Sequence, residues 1–407
     1  MGNGRAVIIG GGITGTLCAH ALIKDGWQVT LLESAHIGAG SSSRTAAGIR
    51  QQFSTPDTVR AMRYAMSFYQ RFTDEMESEA SPLIQNGYLF LVEGESPWRE
   101  ARARVKMQQG VGLRDVEALS PQEVAKRFSW VDATQISGAT WCPTDGFLLP
   151  HIVYHDAARE VRRMGGTILQ GAPVTGATHS GGKLTSVETP KGTVEGDLFL
   201  DCTNAWTHRT AQILGAQPLD VAPLKRYLWF LMREGSLTAD TMRDMPLTIL
   251  PSGIYCRPEN EDTLLMGKKH DTPAELTFSY DDQDEIEPHY SHNTGFDAMP
   301  FDLWMELAET LPPMSEFGGI TSTTCGYYGT TPDHNPFLGF DPIHQNLIRL
   351  VGFSGHGAML GPFTAQVATE LARSGQDLTS IDLTYGEVAL HPFALGRSYE
   401  NHETLVI

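Results

Sequence analysis

The sequence predicts an α/β dinucleotide-binding fold interleaved with a second domain of largely antiparallel β-structure. Three observations support this prediction: a strand–glycine loop–helix–strand unit at residues 6–33, a run of short β-rich stretches at 225–270, and a strand–glycine turn–helix block at 347–374. The first and third patterns are typical of α/β domains, and the second is typical of an antiparallel meander. Because the patterns alternate along the chain, we expect interleaved domains instead of consecutive ones.

The N-terminal strand–loop–helix–strand unit is the strongest indication of a dinucleotide-binding fold. Residues 6–9 are an apolar run, predicted to be a buried strand, and Gly10-Gly11-Gly12-Ile13-Thr14-Gly15 follows directly. Glycines let the backbone approach a pyrophosphate at the positive end of the next helix. Glu33 ends the second strand, 18 residues after Gly15, where a carboxylate accepts hydrogen bonds from ribose hydroxyls. We therefore predict dinucleotide binding, the alternative being a structural βαβ unit with a fortuitous glycine turn.

Composition excludes several classes of partner. The 407 residues include 30 Lys and Arg against 48 Asp and Glu, a formal net charge of −18, which argues against nucleic acid or an anionic membrane. No apolar stretch is long enough to span a bilayer. Five cysteines without CxxC spacing indicate a reducing compartment and no zinc site. We expect a soluble, cytoplasmic protein that binds no metal.

Periodicity and turn signals place the remaining elements. Asp145-Gly146 is predicted to be a turn. The predicted helices and strands are helices at 57–78, 98–108, 119–128, 150–164, 301–310 and 362–374, and strands at 86–93, 167–169, 185–188, 197–202 and 347–351.

A second glycine motif, GFSGHGAMLGP at 352–362, lies between a strand and a helix. The first amides of that helix would face whatever lies at the turn, with about half a positive charge. The alternative is an ordinary strand–helix connection. Because it occurs in one chain with the N-terminal motif, we expect both to contact the same ligand.

Seven motifs together resemble one family. They are the opening glycine motif, GSSSRTAAGIRQQFS at 40–54, DGFLLP at 145–150, DCTNAWT at 201–207, YCRP at 255–258, TPDHNPFLG at 331–339 and the second glycine motif. This set resembles the D-amino-acid oxidase superfamily of flavoproteins, in particular its sarcosine oxidase, glycine oxidase and dimethylglycine dehydrogenase branch. The resemblance implies a Rossmann-like FAD-binding domain built from 1–80, 140–222 and 325–407. It also implies an α+β substrate domain, 81–139 and 223–324, on a mixed, largely antiparallel sheet.

The resemblance assigns the residues that bind FAD. They are Gly10, Gly12, Ile13, Thr14 and Gly15 at the pyrophosphate, Glu33 at the ribose, Ser42, Ser43 and Arg44 beside the pyrophosphate and flavin, Val174 at the adenine, and Gly355, His356, Gly357 and Met359 at the flavin. Reduced flavin carries negative charge near N1, which a helix N-terminus stabilises. His356 is either a donor to that charge or a turn residue.

The family reaction implied is removal of a hydride from the carbon next to nitrogen of a small amine or amino acid, giving an imine that hydrolyses. We expect an N-substituted or cyclic amino acid. Arg50 stands where sarcosine oxidases bind the substrate carboxylate, and Met359 replaces their second cation, a lysine. For Arg50 the alternative is a structural ion pair.

Three further residues are predicted at the substrate site: Tyr255, Arg257 and Tyr328. Aromatic and cationic groups suit a small anionic amine. Core packing is the alternative for the two tyrosines, and an ion pair between domains is the alternative for Arg257.

Two departures from the family bear on the electron acceptor and the flavin link. Leu265 replaces the lysine that promotes reaction with oxygen, which favours transfer to a protein or quinone unless Lys268 or Lys269 reaches the flavin. Gly326 occupies the position of the covalent flavin cysteine, with Cys325 one residue away. We expect non-covalent FAD, with a thioether through Cys325 as the alternative.

Two other functions stay open. A flavin enzyme for 2-hydroxy acids needs the same carboxylate grip and a base, for which His270 is the candidate. A non-catalytic assembly factor would keep FAD as a structural element. The second glycine motif argues against an aromatic hydroxylase or halogenase.

Overall fold

The architecture was obtained as a computed structural model that describes residues 3–234, 239–269, 282–295 and 298–406. The α-helices in these ranges are α1 (Ile13–Lys24), α2 (Pro56–Gln70), α3 (Phe72–Glu75), α4 (Glu95–Gly110), α5 (Pro121–Arg127), α6 (Pro150–Arg163), α7 (Thr207–Leu214), α8 (Ala239–Asp244), α9 (Met299–Thr310) and α10 (Gly357–Ser374).

The strands alternate with these helices along the chain. They are β1 (Arg5–Ile9), β2 (Gln28–Leu32), β3 (Gly48–Ile49), β4 (Leu83–Ile84), β5 (Tyr88–Val92), β6 (Glu117–Leu119), β7 (Gly138–Cys142), β8 (Gly146–Leu148), β9 (Thr167–Leu169), β10 (Gly176–Ser180), β11 (Lys183–Thr189), β12 (Gly192–Glu195), β13 (Leu198–Asp201), β14 (Ala222–Arg233), β15 (Leu247–Ile249), β16 (Ile254–Pro258), β17 (Thr263–Lys268), β18 (Phe317–Thr330), β19 (Phe337–Phe340), β20 (Leu347–Val351), β21 (Ser380–Leu383) and β22 (Gly386–Ala389).

The first large sheet confirms the predicted dinucleotide-binding unit. Its strand order is β19-β20-β13-β1-β2-β9, with β1, β2, β9, β13 and β20 parallel. Ile9 pairs with both Leu32 and Asp201, so β1, β2 and β13 end at the same edge. Helices α1 and α10 share a hydrophobic cluster with strands of this sheet. The loops that follow these strands therefore meet at one place, the position where α/β sheets bind ligands.

The second large sheet, β18-β14-β17-β16-β15-β5-β7-β6, is mixed and largely antiparallel, as predicted. Among its described pairs, β15 and β5 run parallel. Alternation along β14 buries Tyr227, Trp229 and Leu231 in a cluster behind the sheet. Leu228 lies on the other face, with Tyr255 and Leu265. One face thus builds the core of the second domain, and the other faces the first domain.

Two predicted domain boundaries fall inside strands. Residue 140 lies within β7, and residue 325 lies within β18, and both strands belong to the second sheet. The predicted turn at 145–146 is also displaced, because Gly146 begins β8 and the turn covers 143–144. A Cβ on Gly146 would lie 1.9 Å from the Ile84 carbonyl oxygen, so this glycine allows close strand approach.

Helix α10 begins at Gly357, earlier than the predicted 362, and contains Pro362 in its interior. Proline cannot donate to the carbonyl four residues before it, here that of Ala358. The Tyr69 hydroxyl donates to this carbonyl over 2.5 Å. The helix can therefore start at the glycine turn without leaving a buried carbonyl unpaired.

Across the described ranges, no helix combines the length and the apolar character that crossing a membrane requires. The cytoplasmic location stays a prediction.

Candidate active site

A cavity of about 800 Å³ lies where the first sheet's strand ends meet the second sheet. Its size is within the range of small-molecule and cofactor sites. The lining is drawn from segments 9–14, 32–35, 39–42, 172–175 and 202–204, and from residues 327, 328, 353, 355, 357 and 358. Both glycine motifs therefore border one cavity, as the sequence predicted.

Close contacts of the backbone explain why the first motif consists of glycines. Gly10 has φ of +107°. A Cβ on Gly15 would lie 1.9 Å from the Gly10 carbonyl oxygen, and a Cβ on Gly12 would lie 2.8 Å from the Ser42 Oγ. Ser42 also accepts a hydrogen bond of 3.0 Å from the Ile13 N–H. The loop thus presents backbone to the cavity at the positive end of α1, a cradle that fits a pyrophosphate.

Glu33 is 7% exposed and fixed at the cavity wall. Its Oε2 accepts from the Gly11 N–H at 2.8 Å, and its Oε1 accepts from the Ala35 N–H at 2.8 Å. The Ser34 hydroxyl donates to Oε1 at 3.0 Å. A carboxylate offers about four acceptor positions. One therefore remains for a ribose hydroxyl.

Asn204 joins the two ends of the cavity, and sequence reasoning did not assign it a role. Its φ is +47°, a conformation that asparagine tolerates better than most residues. The Oδ1 atom accepts from the N–H groups of Gly352 and Phe353, at 3.0 and 3.2 Å. The side chain thereby fixes the second glycine turn against the loop after β13. Its only signal in the sequence is an asparagine at a strand end.

The second glycine turn brings the start of α10 to the cavity. Ser354 and Gly355 have φ of +50° and +90°. A Cβ on Gly355 would lie 2.5 Å from the Tyr328 ring, so the aromatic ring packs directly on the turn. Gly357 and Ala358, the first residues of α10, line the cavity. The helix N-terminus can therefore stabilise negative charge there.

The structure separates the predicted cofactor residues into three groups. Gly15 packs behind the loop, and Ser43 and Arg44 lie outside the lining, where Arg44 forms a 2.6 Å ion pair with Asp284. His356 and Met359 line a second, smaller cavity. The predicted residues that line the large cavity are Gly10, Gly12, Ile13, Thr14, Glu33, Ser42, Val174, Gly355 and Gly357.

The second cavity has a volume of about 40 Å³ and adjoins the first, because Thr45, Tyr328, Gly355 and Ala358 line both. The residues that give it chemical character are Arg50, Tyr88, Tyr255, Tyr328, His356 and Met359. The structure thus brings together three predicted substrate residues (Arg50, Tyr255 and Tyr328) and two predicted flavin residues (His356 and Met359), and it adds Tyr88, which was not predicted.

Arg50 is completely buried in the wall of the small cavity. Its Nη1 and Nη2 groups donate to the backbone carbonyls of Gln52 and Leu405, and its Nε has no partner. The guanidinium lies 3.9 Å from the Phe53 ring centroid. In the described part of the chain, no carboxylate reaches it within ion-pair distance, so the structural ion pair that was the alternative for Arg50 is not formed there.

The acids nearest to Arg50 are bound elsewhere. Asp145 accepts from the backbone N–H of Gln51 at 2.7 Å, and burial raises the pKa of Asp145 to about 6. Glu403 accepts from the backbone N–H of Ser54 at 3.0 Å, and burial raises its pKa as well. Both carboxyls surround the arginine without contacting it. Neither was predicted, because they lie far from Arg50 along the chain.

His356 is neutral in this site. Burial, with repulsion from Arg50, lowers the pKa of His356 well below its ordinary value. Its Nε2 lies 3.4 Å from the Arg50 Nη2, so this nitrogen is placed to accept. Its ring packs edge-on against Phe53 at 5.1 Å. The side chain therefore orients the arginine and is not a cationic donor.

Three tyrosines complete the small cavity, of which Tyr88 and Tyr255 are buried and Tyr328 is half-buried. Burial raises the pKa of Tyr88, Tyr255 and Tyr328, so all three are neutral phenols. A Cβ on Gly267 would lie 2.3 Å from the Tyr255 hydroxyl, so this glycine makes room for the ring.

Arg257 lies outside both cavity linings. It donates to the Ala46 carbonyl at 2.8 Å and forms a 2.7 Å ion pair with Glu259. It thereby holds the loop before β3 against the second sheet, but its ion pair lies within one predicted domain and is not the pair between domains that was the alternative for it.

Side chains alternate along β18, so Cys325 and Gly326 lie on opposite faces of the second sheet. Gly326 faces Arg44, whereas Cys325 packs behind the sheet with Tyr227 and donates to the Gln283 carbonyl at 3.1 Å. This orientation opposes a thioether through Cys325.

Leu265 packs on the cavity-facing side of its sheet, and within the described residues neither Lys268 nor Lys269 lines either of the two cavities. His270 lies outside the described residues.

Comparisons with known proteins agree with this geometry. A family model described as FAD-dependent oxidoreductase (DAO) matches residues 5–371. The chain is 26% identical to FAD-dependent oxidoreductase domain-containing protein 1 of Bos taurus, covering 97% of this chain and 84% of that protein. It is 25% identical to mitochondrial sarcosine dehydrogenase of Homo sapiens, covering 88% of this chain and 38% of that protein.

Solved structures agree as well. L-proline dehydrogenase from P. horikoshii matches with a TM-score of 0.80 and 25% identity, over 92% of this chain and 94% of that one. Glycine oxidase from Geobacillus kaustophilus matches in fold, with a TM-score of 0.80 at 19% identity, over 97% and 99% of the two chains. The chain belongs to the DAO family and is an FAD-dependent oxidoreductase.

Proposed function

We propose that the protein removes a hydride from the carbon next to nitrogen of a small amino acid, of the N-substituted or cyclic type, to give an imine that water hydrolyses. One observation carries the proposal. Arg50 is a completely buried cation in the wall of a cavity that adjoins the cofactor cavity, and no described carboxylate pairs with it. A buried charge without a partner is costly. A substrate carboxylate would supply that partner.

The residues on the cavity walls fit the cofactor. The loop at Gly10–Thr14 would hold the pyrophosphate, Glu33 the ribose, and Gly355, Gly357 and Ala358 the flavin edge. FAD, when bound, supplies the hydride acceptor. The small cavity then lies next to the flavin end, because Tyr328 and Gly355 line both spaces. A substrate held by Arg50 would therefore sit beside the ring.

The environment of the small cavity suits an amine that reacts in its neutral form. Its phenols and His356 are uncharged, and the nearest acids already accept hydrogen bonds from backbone amides. The arginine would orient the carboxylate by a charge-assisted hydrogen bond from its Nε, the guanidinium nitrogen to which no described residue is hydrogen-bonded. The names of two similar proteins also support a secondary amine as substrate. They are sarcosine dehydrogenase and L-proline dehydrogenase, and sarcosine and L-proline are secondary amines.

For the electron acceptor, we propose a protein or quinone instead of oxygen. Leu265 gives the cavity-facing side of β17 an aliphatic group where the family's oxygen-reactive members have lysine. Stopped-flow reoxidation tests this proposal. Slow reoxidation by oxygen with fast reoxidation by a quinone supports it, and fast reoxidation by oxygen contradicts it.

An anaerobic substrate panel tests the reaction class. The FAD-loaded protein is mixed with N-methyl amino acids, cyclic amino acids, primary amino acids and 2-hydroxy acids, and loss of the visible flavin absorbance is followed. We expect bleaching by secondary amino acids, and Arg50→Gln should raise their KM about 10- to 100-fold, the value of one charge-assisted pair. Arg60→Gln, which removes an ion pair on α2, serves as the control and should leave KM unchanged.

Two results would contradict the proposal. Bleaching by 2-hydroxy acids alone would favour the hydroxy-acid dehydrogenase. Stable FAD binding without bleaching by any compound would favour the non-catalytic assembly factor.

A further inference from the structure

A second buried guanidinium faces the same region of the molecule. Arg226 lies on β14 and is 7% exposed. Its Nε and Nη1 atoms are buried, and no residue that the structure describes is hydrogen-bonded to them. The guanidinium is in neither cavity lining, but it lies 5.4 Å from the ring centroid of Tyr328, which lines both. Strand alternation places Arg226 on the face of Leu228, opposite the cluster that holds Tyr227.

The charges around Arg226 leave it without compensation. In the described ranges it forms no ion pair. Asp333, an acid on this side of the site, is held by Arg397 at 2.7 and 2.8 Å. Burial, together with repulsion from Lys269 and Arg226, lowers the pKa of His334. Arg226 is therefore a buried cation without an ion-pair partner among the described residues.

The two arginines lie near different phenols of the small cavity. Arg50 lines the small cavity with Tyr88, whereas Arg226 lies 5.4 Å from the ring centroid of Tyr328, on the sheet face that also holds Tyr255. All three tyrosines line the small cavity. A ligand with one carboxylate would satisfy Arg50 and leave Arg226 uncompensated. A ligand with two carboxylates would satisfy both.

We propose that Arg226 binds a second anionic group, so that the preferred substrate is an amine with two carboxylates, the second on its side chain or on its nitrogen substituent. This inference rests on the proposed function and narrows its substrate class. The chemistry follows from the guanidinium, which binds carboxylate through paired N–H groups and retains its charge when buried.

Binding of unreactive carboxylates separates this role from a structural one. Acetate, butyrate, succinate and glutarate are titrated into the FAD-loaded protein, and Kd is read from the change in the visible flavin spectrum. We expect the dicarboxylates to bind about tenfold or more tightly than monocarboxylates of similar length. Arg226→Gln should abolish this preference and leave monocarboxylate binding within about twofold, while Arg226→Lys should keep part of it.

Arg233→Gln provides the matched control. Arg233 is the last residue of the same strand, and its Nη1 donates to the Glu261 carbonyl at 3.3 Å. This variant should preserve the preference. If Arg226→Gln does not fold, the partial effect of Arg226→Lys decides the question.

Equal binding of both ligand types in the wild type would overturn the inference. So would an equal loss of both in Arg226→Gln, which would mean that the arginine only supports Tyr328. Either result with retained bleaching by amino acids leaves the reaction class intact. Loss of bleaching with every amine would instead overturn the proposed function.

Discussion

Arg349 and Arg50 are both completely buried, yet the protein treats them differently. Arg349 forms ion pairs of 2.9 Å with Asp201 and 3.0 Å with Asp341, and it donates to the Thr207 hydroxyl at 2.7 Å. Arg50 contacts backbone carbonyls, a histidine and an aromatic ring. Where the fold needs a buried cation, the chain supplies the acids. Where the chain supplies no acid for a buried cation, we infer that a ligand supplies the negative charge.

The positions of the two arginines account for the difference. Arg349 lies on β20, beside β13, so its charge joins the strands of the first sheet. Arg50 follows β3 and faces a cavity. Structural and ligand-binding arginines can therefore be separated by their partners, although their burial is the same.

The largest expected effect is on Arg349. Arg349→Met should lower the free energy of unfolding by about 3–5 kcal/mol, because Asp201 and Asp341 would remain buried without a cation. Urea denaturation of the FAD-loaded protein measures this change. A loss below about 1 kcal/mol would mean that the network is not structural, and the comparison would fail.

Asp145 gives a pH-dependent test. Its folded-state pKa of about 6 lies above the ordinary value of 3.8, so the folded protein binds more protons than the unfolded chain between these values. Stability relative to Asp145→Asn should therefore fall as pH rises through this window, by about 2–3 kcal/mol in total. Urea denaturation of both proteins at several pH values measures the difference. A constant difference would show that Asp145 is ionised throughout.

Substitution of Arg50 should affect substrate binding more than stability, which is the opposite of what we expect for Arg349. Arg50→Gln should weaken binding of a carboxylated substrate by about 1.5–3 kcal/mol. Its stability loss should be smaller than that of Arg349→Met by about 2 kcal/mol or more, since no buried acid loses a partner. Denaturation and KM measured on the same preparations test this. Equal stability losses would remove the distinction between the two arginines.

The smallest expected effect is on a neutral contact. Tyr69→Phe should cost about 1–2 kcal/mol of stability, because the Ala358 carbonyl would lose its donor beside Pro362. Thermal denaturation checks this value. Carboxylate binding should change less than in Arg50→Gln, and a larger change would mean that the start of α10 is set by this hydrogen bond.

Local patterns predicted much of the fold and part of the site. The glycine motifs and Glu33 belong to one short unit of the chain, and Glu33 accepts from the Gly11 N–H within it. Alternation within β18 distinguishes Cys325 from Gly326. These features follow from backbone geometry, which a sequence encodes directly.

Other contacts depend on tertiary structure. His356 meets Arg50 across 306 residues, and Leu405 meets it across 355. Ser43 and Arg44 turn away from the cavity because residues 41–43 form a short 3₁₀ turn, which points Ser42 inward. Whether a buried arginine has an acid beside it cannot be read from spacing, and for that reason Arg226 was missed.

One measurement tests the central claim that a substrate carboxylate completes the charge of Arg50. Anaerobic flavin reduction is compared for an N-methyl amino acid and for its amide, which differ in the carboxylate alone, in wild type and in Arg50→Gln. We predict that the acid has a kcat/KM about tenfold or more above the amide in wild type, and that the variant loses this preference. Equal reduction by acid and amide in the wild type would contradict the account.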